Sequence, residues 1–269
     1  MVCYIDSLVT FEEVVTDIKE LIPDAALRRR MSRILKMAVS TGVECAGGVD
    51  AVSGLDAIVT ATGWGCLEDS EKFLRNMIAG EEQMLNPTPF IQSTFNTVGG
   101  QIALLRHNHC YNVTYVNRSH SFEDALLDVM MRIADGESSS VLVGAFDEQT
   151  PSQHRIMERI GLFRKTDGGE GAVFAHITDR PCKESFAKVT LLEFPSETIS
   201  YNECLERYAT CPDAEILYCA ALEHGVFPVM SAYSFASAAK MIKSGKRQVL
   251  VYNEYFGAAP TVLRIECLG

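Results

Sequence analysis

Three polar residues in a row, Ser119, His120 and Ser121, stand where a β-branched run, Tyr111 to Val116, gives way to a helical run, Phe122 to Ala134. A strand that feeds a helix through a polar elbow is where layered α/β proteins present a nucleophile or receive an anion. The helix start offers unpaired backbone N–H groups and the positive end of its dipole. The residue types there suit acyl transfer or hydrolysis through Ser119 or His120. Neighbours in sequence on a helix do not face one another, so these two do not form a dyad alone. The plainer reading makes Ser119 or Ser121 an N-cap, with Glu123 or Asp124 supporting the first turn as in a capping box. No cysteine occurs at this elbow, although the chain holds nine.

Other residues offer weaker chemistry. His107 and His109 alternate as metal ligands on a strand would, but no acidic or cysteine partners converge in sequence, so they read as solvated loop residues and no metal is expected. Cys110 precedes the strand instead of following it, which makes it a displaced nucleophile at best. His224 lies in a loop, Leu222 to Pro228, and is the one histidine of the C-terminal half placed to assist chemistry. Gly168-Gly-Glu-Gly171 precedes a strand, not a helix, so it reads as a structural turn and not as a phosphate cradle. Arg28, Arg29 and Arg30, with Arg33 and Lys36, form the densest positive cluster of the chain.

The elements that must position these residues alternate. Ala25 to Ala46 reads as one amphipathic helix, Leu55 to Thr62 as a strand, and Ser70 to Ala79 as a helix closed by Gly80. Phe90 to Arg106 reads as a helix whose Gly99-Gly100 pair implies a close approach, since each glycine costs about 1 kcal/mol against alanine. Ser140 to Phe146 is a buried strand and Pro151 to Ile160 a helix. Strands follow at Gly171 to Ile177, Lys188 to Phe194, Glu215 to Ala220, Gln248 to Tyr252 and Thr261 to Cys267, with a helix from Ser231 to Lys243. The pattern is layered α/β, one domain over 1–269 with two similar halves of about 1–180 and 185–269.

Bulk properties narrow the classes. The chain has 269 residues, 47% hydrophobic and 22% charged, enough for a substantial core. A net charge of −11 argues against a nucleic-acid or anionic-membrane surface. No run approaches 18 apolar residues, which argues against a membrane span, and the start lacks a leader pattern. Nine cysteines without a CxxC pair read as reduced core fillers of a cytoplasmic protein.

Five segments in order resemble the β-ketoacyl synthases of fatty-acid and polyketide synthesis. They are Arg28-Arg-Arg-Met-Ser-Arg33, Asn96-Thr-Val-Gly-Gly-Gln-Ile-Ala103, Val141-Leu-Val-Gly-Ala-Phe-Asp-Glu148, Gly168-Gly-Glu-Gly-Ala172 and Val251-Tyr-Asn-Glu-Tyr-Phe-Gly257. The resemblance spans roughly residues 25 to 267 of a chain shorter than a full synthase. It implies a thiolase-like fold, duplicated α/β halves in a five-layer αβαβα stack of reduced size. It also implies a dimer, homo- or hetero-, with the strand Tyr111 to Val116 near the two-fold.

That family uses a cysteine at a helix start and two histidines from the C-terminal half, and no cofactor. The cysteine position falls at Ser119 or His120. The His-Gly-Thr-Gly-Thr loop expected after the strand Glu215 to Ala220 is absent, which leaves His224 as the only stand-in. Ser231-Ala232-Tyr233 stands where Gly-His-Thr belongs, while Asn253 and Gly257 of the closing loop are kept. The combination resembles chain-length-factor subunits and short synthase-like proteins of aryl-polyene or related lipid pathways. It implies a non-condensing subunit that binds an active ketosynthase, an acyl carrier protein, or both. Arg28, Arg29 and Arg30 match the basic stretch that meets the acidic carrier protein. The alternatives are an acyl-thioester hydrolase or acyltransferase using Ser119 or His120, and an active synthase with a displaced cysteine, Cys110 being nearest.

Overall fold

The computed structural model describes residues 1–83, 85–163, 167–219, 225–254 and 258–269. In chain order the elements are β1 (Cys3–Thr10), α1 (Ile18–Leu21), α2 (Ala25–Arg30), α3 (Arg33–Cys45), β2 (Ala57–Ala61), α4 (Leu67–Ala79), α5 (Pro87–Gln92), α6 (Thr97–Leu104), β3 (Tyr111–Tyr115), α7 (Ser121–Ala134), β4 (Ser140–Asp147), α8 (Pro151–Ile160), β5 (Gly171–Thr178), β6 (Ala187–Glu193), α9 (Tyr201–Tyr208), β7 (Glu215–Tyr218), α10 (Ser231–Lys243), β8 (Gln248–Asn253) and β9 (Thr261–Glu266). Among the described residues no helix is long and apolar enough to cross a membrane.

These strands form one hydrogen-bonded sheet in the order β3-β2-β4-β5-β1-β6-β9-β8-β7. The stretch β2-β4-β5-β1 recurs as β7-β8-β9-β6: a parallel pair, then two antiparallel ones. The opening strand of each stretch carries the same irregularity. Against β5 the register of β1 skips between Ile5 and Ser7, and against β9 that of β6 skips between Val189 and Leu191. One extra residue reverses the alternation of faces, so Ile5 and Leu8 both point to the central core, as do Val189 and Leu192.

Period-two patterning then sorts side chains into layers. On β4, Val141, Val143 and Ala145 face the central core, while Leu142 and Phe146 face outward. On β8, Val249 and Val251 face in and Leu250 and Tyr252 face out. The central layer is α7 against α10, meeting through Phe122 and Phe235 at a centroid distance of 5.4 Å. Outside the first half lie α3 and α6; outside the second lies α9, seated by Cys204 against Leu250, Tyr252 and Val262. The molecule is therefore a five-layer αβαβα stack at reduced size.

Two expected helices are divided. The helix expected over Ala25 to Ala46 breaks at Met31 and Ser32, both in extended conformation, into α2 and α3. The one expected over Phe90 to Arg106 becomes α5 and α6. Within α6 the glycine pair splits in role. A Cβ on Gly99 would fall 2.7 Å from Asn112 Oδ1, so this backbone sits tight against β3, whereas one on Gly100 would meet nothing within 4 Å.

Candidate functional site

Parallel pairing of β3 with β2 delivers the chain to an elbow between Val116 and Ser121. Arg118 turns it with a φ of +52°, a left-handed value that costs a branched-chain-free residue of order 1–2 kcal/mol and needs outside support. That support is a hydroxyl relay: the Asn117 N–H donates to Ser121 Oγ at 2.8 Å, and Ser121 Oγ donates to Arg118 O at 2.8 Å. Asn117 Nδ2 also donates to Asp124 at 2.8 Å. The N-cap of α7 is His120, not Ser119 or Ser121, and it makes no side-chain cap bond. Ser121 acts inside the turn because Arg118 to His120 form a 3-10 segment that moves the helix start.

Ser119 is buried at 3% exposure, and His120, half-buried, points its Nε2 at Ala259 O, 2.7 Å away, with its ring edge-on to Phe194. Thus Ser119 and His120 do not pair, and no base is hydrogen-bonded to the Ser119 hydroxyl among the described residues. What the fold does bring to Ser119 is Asn253, from the end of β8. Asn253 Nδ2 donates to Ser119 O at 3.2 Å and to Glu123 Oε1 at 2.9 Å, and Thr261 Oγ1 adds a second bond to that oxygen at 3.1 Å. Glu123 is 3% exposed, and burial raises its carboxyl pKa. Expected as a capping support of the first turn, it is a buried acid, because Asn253 of β8 and Thr261 of β9 return over it.

At the start of α10, Tyr233 occupies the interior. Its ring meets Phe227 edge-on at 5.8 Å, and its hydroxyl donates to both Glu12 oxygens at 3.1 Å. A Cβ on Gly171 would lie 2.1 Å from that hydroxyl, so the glycine that opens β5 makes room for the ring. His224 and Gly257 lie outside the described residues.

Seven of the nine thiols are shifted away from activation. Burial pushes Cys3 and Cys45 up to about 12, and it also raises Cys66, Cys110, Cys204, Cys211 and Cys219. A nucleophilic cysteine needs the opposite shift. His107 and His109 are exposed, and no group of three or more His, Cys, Asp or Glu suited to a metal ion occurs among the described residues.

A second polar cluster, whose residues the sequence offered only as motif, stands at the end of β4. Asp147 is fully buried and collects Thr62 Oγ1 at 2.8 Å, Gly63 N at 3.0 Å and Trp64 N at 2.7 Å on one oxygen, and Val229 N at 3.3 Å on the other. Burial still pushes it up to about 6. Glu148, next in line, accepts the Glu68 N–H at 2.9 Å at the start of α4 and faces Arg33 at 3.4 Å; burial pushes it up to about 7. Arg33 also pairs with Glu170, which accepts the Gln149 N–H at 2.9 Å. Arg33 is therefore an exposed arginine whose charge is answered by Glu148 and Glu170, unlike Arg29 and Arg30.

Arg28, Arg29 and Arg30 lie on α2. Arg28 is half-buried and donates to the carbonyls of Ile22 and Pro23. Arg29 and Arg30 are exposed, fold back on the Ala25 and Ala26 carbonyls at 3.2 Å each, and have no ion-pair partner among the described residues. These two are the free charges of the helix.

Comparison with known proteins aligns with this geometry. The family model of the β-ketoacyl synthase N-terminal domain matches residues 12–162. A search of curated proteins gives no match. Among solved structures, the ishigamide ketosynthase/chain length factor superposes with a TM-score of 0.71 at 16% identity, covering 94% of this chain and 86% of that one. A type II acyl-carrier protein in complex with its ketosynthase bound to the hexaketide gives 0.79 at 12% identity, with 99% of each chain covered. A ketosynthase in complex with its chain length factor from Xenorhabdus doucetiae gives 0.58 at 17% identity, covering 90% of this chain and 81% of that one. At these identities the superpositions speak for the fold.

Proposed function

The chain belongs to the β-ketoacyl synthase family, and from that premise we propose that it is a non-condensing subunit of fatty-acid or polyketide assembly that pairs with an active ketosynthase and meets its acyl carrier protein. The observation that carries this reading is the elbow before α7. The position from which the family presents a cysteine holds Ser119 and His120, neither hydrogen-bonded to a base, and the start of α10 is filled by the Tyr233 ring. Two of the superposed structures are named as a ketosynthase with a chain length factor, and one as a carrier protein with its ketosynthase. The reduced cysteines suit work in the cytoplasm.

The pairing surface in this reading is β3. It is one of the two outer strands of the sheet and leaves one row of backbone groups unpaired, beside exposed Phe95, Leu104, Tyr111, Val116 and Met131. An open edge flanked by exposed apolar side chains is an aggregation hazard unless another chain covers it. Co-expression with a ketosynthase encoded beside it is expected to give a stable heterodimer, and Leu104→Asp with Val116→Asp to dissociate it while the fold survives. The chain alone is expected not to condense malonyl and acyl thioesters. A clean monomer in the presence of the ketosynthase, by light scattering at micromolar concentration, would refute the pairing.

The strained Arg118 favours a second reading, because such turns are kept at reacting centres. In it, Ser119 takes an acyl group from a thioester. Covalent labelling by an acyl-thioester probe that Ser119→Ala abolishes would establish it.

A further inference from the structure

A groove of about 560 Å³ opens between the turn Phe11–Glu13, α1, the first two turns of α3 and the start of β5. It lies at the carboxyl edge of β1, the edge at which open α/β sheets receive ligands. Its apolar wall is Phe11, Val14, Ile18 and Met37, with the Phe11 ring 42% exposed. That size and lining fit a small molecule with a largely apolar body.

The charges around the groove are unequally answered. Glu12 receives the Tyr233 hydroxyl on both oxygens, and Glu170 is held by Arg33. Lys36 lines the same groove, and its ammonium makes no hydrogen bond or ion pair among the described residues. It sits in the opening turns of α3, where the helix dipole is already positive and no acidic residue stands in the first turn. Arg33, one turn earlier, is neutralised by Glu148 and Glu170; Lys36 is not. An anion beside Lys36 would answer both its charge and the helix end.

We propose that this groove binds an amphipathic monocarboxylate, its hydrocarbon body against Phe11, Val14, Ile18 and Met37 and its carboxylate on Lys36. The site is separate from the elbow before α7 and does not rest on the pairing role. Ligand-observed NMR with the full chain tests it, using decanoate, decanol and decyltrimethylammonium. Decanoate is expected to bind saturably and more tightly than decanol, and decyltrimethylammonium more weakly than both. Lys36→Gln is expected to weaken decanoate about fivefold and leave decanol unchanged, while Phe11→Ser weakens both. Circular dichroism melts of both variants should match the parent, since both residues lie at the rim. Absence of saturable decanoate binding, or binding that neither substitution alters, would overturn the proposal.

Discussion

β4 and β8 hold equivalent places in the two halves, and each ends on a buried polar residue that crosses to the other half. Asp147 closes β4 and accepts the N–H of Val229, two residues before α10 begins. Asn253 closes β8 and donates to the carbonyl of Ser119, two residues before α7 begins. The placements match, but the chemistry is opposite: one end is an acceptor gathering backbone N–H groups, the other a donor facing a carbonyl and an acid. The duplicated frame thus fixes where a polar side chain must bridge the halves, while its identity sets the local charge. At α10 the bridge is an acid with four donors. At α7 it is a neutral amide that lets a second acid, Glu123, stay buried beside it.

The sharpest way to break this contrast is to make both ends acidic. Asn253→Asp would set a second carboxyl against Glu123 and the Ser119 carbonyl in a water-free pocket, where neither acid can be solvated. Destabilisation of about 3 kcal/mol or more near pH 7 is expected from urea unfolding, relieved at lower pH as one acid takes a proton. Equal stability of variant and parent across that range would show that the donor character of this bridge is incidental.

Asp147→Asn tests the other end. Asp147 stands at about 6 in the folded protein against an ordinary 3.8, and Glu148 at about 7 against 4.5. Both folded values are raised, so the native state holds extra protons between the two sets. Their contribution to stability is therefore greatest below about pH 4 and is lost as pH rises through 6 and 7. The amide removes the lower of these two steps. Relative to the parent, the fall in unfolding free energy from about pH 4 to pH 7 should shrink by about 2–3 kcal/mol. Parallel pH profiles for the two proteins would mean that the donors around Asp147 outweigh its burial.

Much of this frame can be read in the sequence, and the failures have local causes. The run Ser140 to Phe146 and the helix after Phe122 are found within a residue or two, since their apolar periods are unbroken. β1 goes unread because its bulge at Asp6 interrupts the alternation that would mark it. α9 is missed although Ser200 and Glu203 spell its capping box. The elbow is legible as a strand-to-helix junction, and Asn253 as a residue worth keeping. The burial of Glu123 is not legible, since on α7 alone it is a first-turn acid, and only Asn253 and Thr261, more than a hundred residues later, enclose it. The ion pairs of Arg33 are not legible for the same reason: its partners, Glu148 and Glu170, come from distant strand ends.

The halves differ also in what they offer a partner, and here the expected effect is smallest. α2, in the first half, carries Arg29 and Arg30 side by side and free of ion pairs; in the second half Lys188, Arg207, Lys246 and Arg264 each face a glutamate, while Lys243 and Arg247 are exposed without an ion pair among the described residues. If the proposed carrier protein docks through charge, it should find α2. Exposed charges act mainly on encounter, so Arg29→Glu with Arg30→Glu should slow association and weaken binding about tenfold at low salt, with a flatter salt dependence. Folding should be unaffected, because glutamate also favours helix and the native contacts of both arginines are to carbonyls of their own helix. Lys246→Glu, which removes a paired charge from the second half, should change binding little and serves as the contrast. A titration of labelled carrier protein at low and high salt decides between them. Equal loss in both variants would assign the attraction to overall charge, and no loss in either would return α2 to a solvated face.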